Sequence, residues 1–277
     1  MLALLLPIAL QLQLAQNLPQ VPSQPYVGKV SWSCSFEHTY CGMMEQSKVE
    51  PARRSTFTPV ARDGGTAIQL TTLPGDDQVH SSGTWLRNDL ELPASPDYCN
   101  DGQQEWWAYS VRFPDDYFVP GFEGVVTDFH GAASGGQPNF SLLSMAHGLR
   151  LHGFYGDIRH PDEYKVDLGP LERNKWYDFV YHVHWTWRGD GFMEVWLNGR
   201  KVLDHQGPTL YVGVSCYFKL ANYHDPSSQY SSIIFDRVMR GSTADAVALT
   251  TLEGRQNMAR LAGARASVRP AKAAGAF

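Results

Sequence analysis

Short segments with alternating side-chain character occupy the chain from about residue 30 to residue 240. In the clearest one, residues 177–187, aromatic or apolar side chains at every second position alternate with mostly polar ones. Because successive side chains of a strand point to opposite faces, this pattern predicts strands with one buried face. Gly, Pro, Asn and Asp separate the segments, and Asn198-Gly199 predicts a type I′ hairpin turn. The pattern predicts an all-β fold in which two antiparallel sheets pack together.

The composition agrees with an all-β sandwich, and the net charge does not suggest a nucleic-acid partner. The chain has 277 residues, with 8 Trp, 13 Tyr, 25 Gly and 17 Pro, so both aromatic residues and turn formers are plentiful. A single β domain of about 200–250 residues is common. The net charge of −5 gives no indication of a nucleic-acid partner, and none is expected. An anionic ligand would have to be met by a local cluster of cations.

The two ends of the chain differ from its centre. Residues 1–16 are apolar without an acidic residue, which predicts a secretory signal peptide, and they are too short for the about 20 residues of a membrane span. Residues 17–29 are expected to be a linker, residues 30–243 one domain, and residues 244–277 a mobile basic tail. We therefore expect a secreted monomer that is not anchored in a membrane.

Four cysteines fit an oxidising compartment. Cys34 and Cys41 are close enough in sequence to bridge a short loop. Cys99 and Cys216 could form a second bridge or be free, and the sequence does not choose among the possible pairings.

Three segments each place polar side chains on one face of a strand. The residues that share a face are Tyr217, Lys219 and Tyr223 in the first, Asp128 and His130 in the second, and Trp85, Arg87, Asp89 and Glu91 in the third. Such a face does not help a core, but it suits the floor of a carbohydrate groove. If the three faces line one cleft, that cleft holds a base, an acid and cations. The third set could instead be a ladder of surface ion pairs.

These three segments carry a family resemblance. Residues 87–91, 128–130 and 217–223 resemble, in order, the R-x-E-x-R, Q-x-H and Y-F-K-x-G-x-Y strands of the jelly-roll polysaccharide lyases. The heparin lyase I group and glucuronan lyase (polysaccharide lyase families 13 and 20) are similar, and the alginate lyases of family 7 more distantly so. The resemblance covers roughly residues 30–243. It implies a concanavalin A-like β-jelly roll that cleaves an anionic, uronate-containing polysaccharide, glucuronan-like or heparin-like, by β-elimination.

The resemblance also implies catalytic roles. His130 would be the base, since the pKa of histidine lies near neutrality, and Tyr223 would protonate the leaving oxygen. In parts of the family one Tyr serves as both base and acid. Glucuronan lyases resemble this chain in carrying a His upstream of the site, so His80 is a second candidate imidazole.

Four further residues are expected to bind substrate. Arg87 and Lys219 would hold a substrate carboxylate, and Tyr217 would line the groove. Asp128 stands where the family has Gln or Asn. An ionised Asp128 would repel the substrate carboxylate unless it is protonated, or paired with Arg87 or Lys219.

The same resemblance implies a structural calcium ion. Jelly-roll lyases often bind Ca²⁺ away from the groove through an acid on the first strand and an acid on the last. Glu37 and Asp236 occupy the matching positions. Two carboxylates with backbone carbonyls suit a hard cation.

Rival interpretations stay open at this point. A non-catalytic glycan-binding module could use the same sandwich and the same groove. The stretch from Cys34 to Glu37, followed by Cys41, is similar to the start of extracellular MAM adhesion domains, which are also jelly rolls. A glycoside hydrolase of the laminarinase type would need an E-x-D-x-x-E strand, which the chain lacks.

Overall fold

The computed structural model describes residues 30–45, 54–59, 65–80, 83–92, 99–131 and 136–247, and these ranges contain sixteen strands and one short helix. The first eight strands are β1 (Val30–Cys34), β2 (Met44–Glu45), β3 (Ser55–Pro59), β4 (Thr66–Thr72), β5 (Asp77–His80), β6 (Gly83–Leu92), β7 (Gln103–Arg112) and β8 (Gly124–Gly131). The others are β9 (Phe140–Met145), β10 (Gly148–Asp157), β11 (His160–Gly169), β12 (Trp176–Trp185), β13 (Phe192–Leu197), β14 (Arg200–Gln206), β15 (Cys216–His224) and β16 (Ser231–Gly241). The helix, α1, spans Ala244–Val247.

The strands form two antiparallel sheets of eight strands each within these described ranges. The first sheet has the order β14-β13-β12-β7-β16-β4-β3, with β1 paired to β16. The second has the order β11-β10-β9-β8-β15-β6-β2, with β5 paired to β6. Strands far apart in sequence are neighbours in both sheets, as in a jelly roll, and the predicted all-β two-sheet fold is confirmed.

The core lies between the two sheets and contains the side chains that the alternation predicts. On β12, the alternate residues Tyr177, Phe179, Tyr181, Val183 and Trp185 are at most 5% exposed. Trp107 from the first sheet packs against Phe129 and Phe218 from the second, with ring centroids 5.3 and 5.0 Å apart. Because β15 buries Phe218 and Leu220 on this side, its Tyr217, Lys219 and Tyr223 must face away from the core.

Two buried asparagines tie the sheets together. Asn88 and Asn222 are register partners on β6 and β15, and both point toward the core. The Asn88 amide donates to the backbone carbonyls of Arg54 and Thr71, both at 3.0 Å. The Asn222 amide donates to the carbonyls of Leu70 and Ser231 at 3.2 and 3.1 Å. Each bond contributes about 1 kcal/mol and, being directional, limits sliding between the sheets.

The four cysteines form two disulfides, Cys34–Cys41 and Cys99–Cys216. The second bridge fixes the first residue of β15 to the segment just before β7, and both of its cysteines are fully buried. The bridge therefore anchors the start of β15, where Tyr217 is the residue after Cys216.

The expected signal peptide (1–16) and linker (17–29) lie outside the described residues, as does most of the expected tail. Its first part, α1, packs on the outer face of the first sheet, where Ala246 and Val247 are buried. Among the described residues, no helix is long and apolar enough to cross a membrane.

Candidate active site

Three adjacent strands of the second sheet bring the expected site residues onto one surface. In β6, β15 and β8, Tyr217 is the register partner of His130, Lys219 is the partner of both Asp128 and Glu91, and Tyr223 is the partner of Arg87. We call the outer side of the second sheet, which carries these side chains, the polar face. The three strands that the sequence singled out therefore do line one surface.

A buried group of charges lies at the centre of the polar face. The Lys219 ammonium is 3.2 Å from Asp128 Oδ2 and 3.8 Å from Asp89 Oδ2. Asp89 also accepts a hydrogen bond from Arg87 Nε at 2.5 Å. Lys219, Asp128 and Asp89 are at most 3% exposed, whereas the Arg87 side chain keeps 17% of its surface in contact with solvent. Arg87 is therefore the cation of this group that a ligand can reach.

Burial and pairing together set the proton affinities in this group. Burial raises the pKa of Asp128, against the attraction of Lys219 and His130. Burial disfavours the charged form of Lys219, but the carboxylates of Asp128 and Asp89 outweigh it and raise the pKa of its ammonium. Asp128 is thus paired with Lys219. This pairing is one of the two conditions, the other being protonation, under which an Asp at this position would not repel a substrate carboxylate.

His130 is oriented as a proton acceptor. Its Nδ1 lies 3.0 Å from the Gly131 carbonyl, so the neutral ring donates its proton there and keeps the lone pair on Nε2. The imidazole stacks on Tyr217 with ring centroids 5.4 Å apart and planes 18° apart. Both side chains are partly exposed. A base and a phenol thus stand side by side at one end of the polar face.

Tyr217 is a protonated phenol at neutral pH. Burial raises its pKa, with Lys219 acting in the opposite direction. The Lys219 ammonium is 5.9 Å from the centre of the Tyr217 ring. A phenol that keeps its proton, next to a cation that stabilises the phenolate, can act as a proton donor.

Tyr223 lies at the other end of β15. It is six residues from Tyr217, about 20 Å along an extended strand. Its ring contacts Trp85 at 5.4 Å between centroids and lies under the Arg87 guanidinium at 5.5 Å, and burial raises its pKa. The structure therefore places Tyr217, rather than Tyr223, beside His130. To reach one sugar ring together, His130 and Tyr223 would have to lean toward each other along the strands.

His80 ends β5 and pairs with Gly83 at the tip of the β5–β6 hairpin. This tip lies beyond Arg87 on β6, on the side of Tyr223 rather than of His130. Its side chain lies outside the described part of the structure, so its role stays a prediction.

The polar face continues onto strands that the sequence did not single out. Arg150 and His152 on β10 point outward, as do Glu163, Lys165 and Asp167 on β11. Arg150 binds Asp167 at 2.7 Å, and Glu163 binds His152 at 2.8 Å and Lys165 at 2.6 Å. The alternating charges of residues 163–167 were the available signal, but only the strand order shows that they share a face with Lys219.

Glu37 and Asp236 do not form a ready metal site. The two Glu37 oxygens accept the amide and the hydroxyl of Thr66, both at 3.0 Å, and these bonds lower the pKa of Glu37. An Asp236 oxygen lies 3.7 Å from Arg237 Nε. In the described ranges, no group of three or more His, Cys, Asp or Glu could hold a metal ion. The residues fit calcium only if backbone carbonyls supply most of the about six to eight ligands that it takes.

Comparison with known proteins places this geometry in a family. The family model described as polysaccharide lyase matches residues 29–239. An endo-β-1,4-glucuronan lyase from the fungus Trichoderma reesei superposes with a TM-score of 0.64 at 16% identity, covering 79% of this chain and 98% of that one. The alginate lyase AlyC3 gives a TM-score of 0.50 at 14% identity, covering 74% and 92%. At these identities the two structures show the fold alone, the jelly roll.

No curated protein sequence matches the chain. The family model covers far more than half of it, and the three strands of the polar face lie inside the matched range. The chain therefore belongs to the polysaccharide lyase family.

Proposed function

We propose that this lyase cleaves a uronate-containing polysaccharide, glucuronan-like or heparin-like, by β-elimination. The observation that carries the proposal is the pair of His130 and Tyr217, a base and a phenol in contact, on the same face as Arg87 and a buried Lys219. The similarity to a glucuronan lyase and an alginate lyase fold supports a uronate substrate, because both of those enzymes are named for polymers of uronic acids.

The reaction needs three groups. A base removes the proton on C5 of the uronate, the electron pair of that bond forms the C4–C5 double bond, and the C4–oxygen bond breaks. The departing oxygen takes a proton from an acid, so that no water is consumed. The carboxylate on C5 gains negative charge in the transition state, and a cation or hydrogen-bond donor beside it lowers the barrier.

The polar face supplies these groups in neighbouring positions. His130 Nε2 would take the C5 proton, and Tyr217 would protonate the leaving oxygen. Arg87 is the partly exposed cation for a carboxylate of the substrate. Lys219 and Asp128 are too buried to meet the polymer in this conformation, so they would hold the two phenols and Arg87 in place from below.

A second arrangement uses the other end of β15. Tyr223 would act as both base and acid, with Arg87 against the carboxylate, and with His80 as a candidate at the adjoining hairpin tip. The contact between Arg87 and the Tyr223 ring favours it. The two arrangements differ in which phenol is indispensable.

The test is the nature of the products. Incubation with polyglucuronate, heparin, heparan sulfate and alginate should raise the ultraviolet absorbance of unsaturated uronate for at least one polymer. Mass spectra of the products should show ends lighter by one water than those of hydrolysis. Binding without new ends would instead favour the glycan-binding module, and products of hydrolytic mass would contradict elimination.

Secretion stays a prediction from residues 1–16, and two disulfides fit the oxidising compartment that it requires.

Structural calcium at Glu37 and Asp236 is likewise a proposal, and its removal should destabilise the protein. With calcium at about 100 times its Kd, the free energy of unfolding should rise by about 3 kcal/mol relative to protein in chelator. Denaturant unfolding in calcium, in magnesium and in chelator measures this. Glu37→Gln keeps one acceptor oxygen for the Thr66 amide, while the Thr66 hydroxyl can still donate to the Phe36 carbonyl, so it should remove mainly the calcium effect. Equal midpoints for the natural protein in calcium and chelator would rule the ion out.

A further inference from the structure

The polar face is rich in charge but balanced in sign. On the strands β6, β8, β10, β11 and β15, nine acidic or basic side chains (Asp, Glu, Lys or Arg) of the described part alternate onto the outer side of the sheet. The cations are Arg87, Arg150, Lys165 and Lys219, and the carboxylates are Asp89, Glu91, Asp128, Glu163 and Asp167.

Each of these four cations already has a carboxylate within ion-pair distance. Arg87 binds Asp89 at 2.5 Å and Lys219 lies 3.2 Å from Asp128. On the far strands, Arg150 binds Asp167 at 2.7 Å and Lys165 binds Glu163 at 2.6 Å. Hydrogen bonds lower the pKa values of Glu163 and Asp167, so both are ionised at neutral pH.

Because the cations are already paired, the polar face can neutralise only a small amount of negative charge on a bound ligand. A uronate that reaches Arg87 can share a guanidinium that Asp89 holds from one side. A polymer with several sulfates in each disaccharide would also bring sulfates close to Glu163 and Asp167, the two ionised carboxylates of β11. Like charges brought together at an interface oppose binding strongly, and the paired cations offer little to offset them.

We propose that the polar face selects a uronate polymer of low charge density, without sulfate, and discriminates against sulfated glycans of the heparin type. The inference rests on the proposed function for the class of polymer, and it narrows that class. The carboxylates of β11 and β6 would cause this discrimination, because they form ion pairs with the cations that a sulfate would otherwise bind.

The experiment compares pairs of polymers with the same backbone and different sulfate content. One pair is polyglucuronate and the same polyglucuronate after partial chemical O-sulfation. The other is heparin and heparin that has been desulfated and N-acetylated. Initial rates of unsaturated product and the affinity for size-matched oligosaccharides are both measured, at low and at physiological salt. We expect each sulfated member to bind and react at least about tenfold more weakly than its partner.

A charge variant tests the assignment. Asp167→Asn releases Arg150 from its ion pair and should narrow the gap between sulfated and unsulfated oligosaccharides by about threefold to tenfold. Asp204→Asn removes the same charge from the first sheet, where Asp204 binds Lys201 at 3.0 Å, and should leave the gap unchanged. An equal effect of the two variants would show that net charge, and not the polar face, sets the preference.

The outcomes separate this inference from the proposed function. Binding that favours the unsulfated member without any cleavage would support the inference and contradict the proposed β-elimination. Cleavage that is as fast for the sulfated member would overturn the inference and leave elimination standing, whereas equal binding of both members without cleavage would overturn both. Binding to neither member of either pair would overturn both.

Discussion

His130→Ala is expected to lower kcat/KM on the cleaved polymer by about 10²–10⁴-fold, the usual contribution of a positioned general base. Tyr217→Phe removes only the phenolic proton donor and should cause a loss of the same order. Tyr223→Phe keeps the ring under Arg87 and should raise KM more than it lowers kcat, because with His130 and Tyr217 as base and acid Tyr223 would contact the substrate without transferring a proton. Initial rates of ultraviolet absorbance over a range of polymer concentrations give the two parameters.

The relative effects of the two phenylalanine variants decide between the two arrangements. If Tyr223→Phe abolishes activity while Tyr217→Phe stays near the natural rate, the reaction takes place at the Arg87 end of β15. His130→Ala would then be mild, and His80→Ala would be the informative variant. Unfolding midpoints for all four variants show whether any loss of activity is a loss of folded protein.

Glu105→Ala is expected to lower the free energy of unfolding by about 3–5 kcal/mol, because it takes the charged partner from a buried network. One Glu105 oxygen accepts the indole N–H groups of Trp107 and Trp185, at 2.8 and 2.6 Å. The other accepts Arg240 Nε at 2.7 Å. Both Glu105 and Arg240 are nearly buried, so the variant leaves a guanidinium without this carboxylate in a place that water hardly reaches.

Two matched variants give the control. Glu105→Gln keeps one oxygen as an acceptor for the indoles and should cost less than alanine. Glu194→Ala removes a carboxylate from partly exposed contacts with Lys201 and His182 on the outer side of β13, and surface pairs of that kind contribute about 1 kcal/mol or less each. Urea unfolding of the three variants measures the differences. A loss for Glu105→Ala no larger than that for Glu194→Ala would contradict the role of the network.

The alternation of side chains was sufficient to predict the strands and to predict which side chains face the core and which face outward. Tyr217, Lys219 and Tyr223 face outward because Phe218 and Leu220 face the core, which is a local consequence of the strand period. Asn88 is a polar residue on a side of β6 that otherwise carries Leu86, Leu90 and Leu92. The structure explains it, since its amide binds backbone groups of the opposite sheet.

The relative position of the strands could not be predicted in the same way. A register irregularity between β15 and β8, after Leu220, makes Val125 the partner of Tyr223. Register depends on bulges and on pairing between distant segments, so sequence alone could not tell which phenol meets His130. The same limit hid the contribution of β10 and β11 to the polar face.

Glu105 was missed for a different reason. It lies on the core-facing side of β7, where a lone carboxylate reads as an exception to the pattern. Its partners Trp185 and Arg240 are distant in sequence, and only folding brings them together.

The last strand of the second sheet, β11, has consequences for crowded conditions. Among the described strands β11 is the edge of this sheet, and it carries Glu163, Lys165 and Asp167, so an incoming strand from another molecule would have to strip water from alternating charges before it could pair. Edge-to-edge pairing of strands between two molecules is therefore disfavoured. When many copies gather on one long polymer, each should keep working as a separate unit, and the local concentration that the polymer creates should not lead to aggregates.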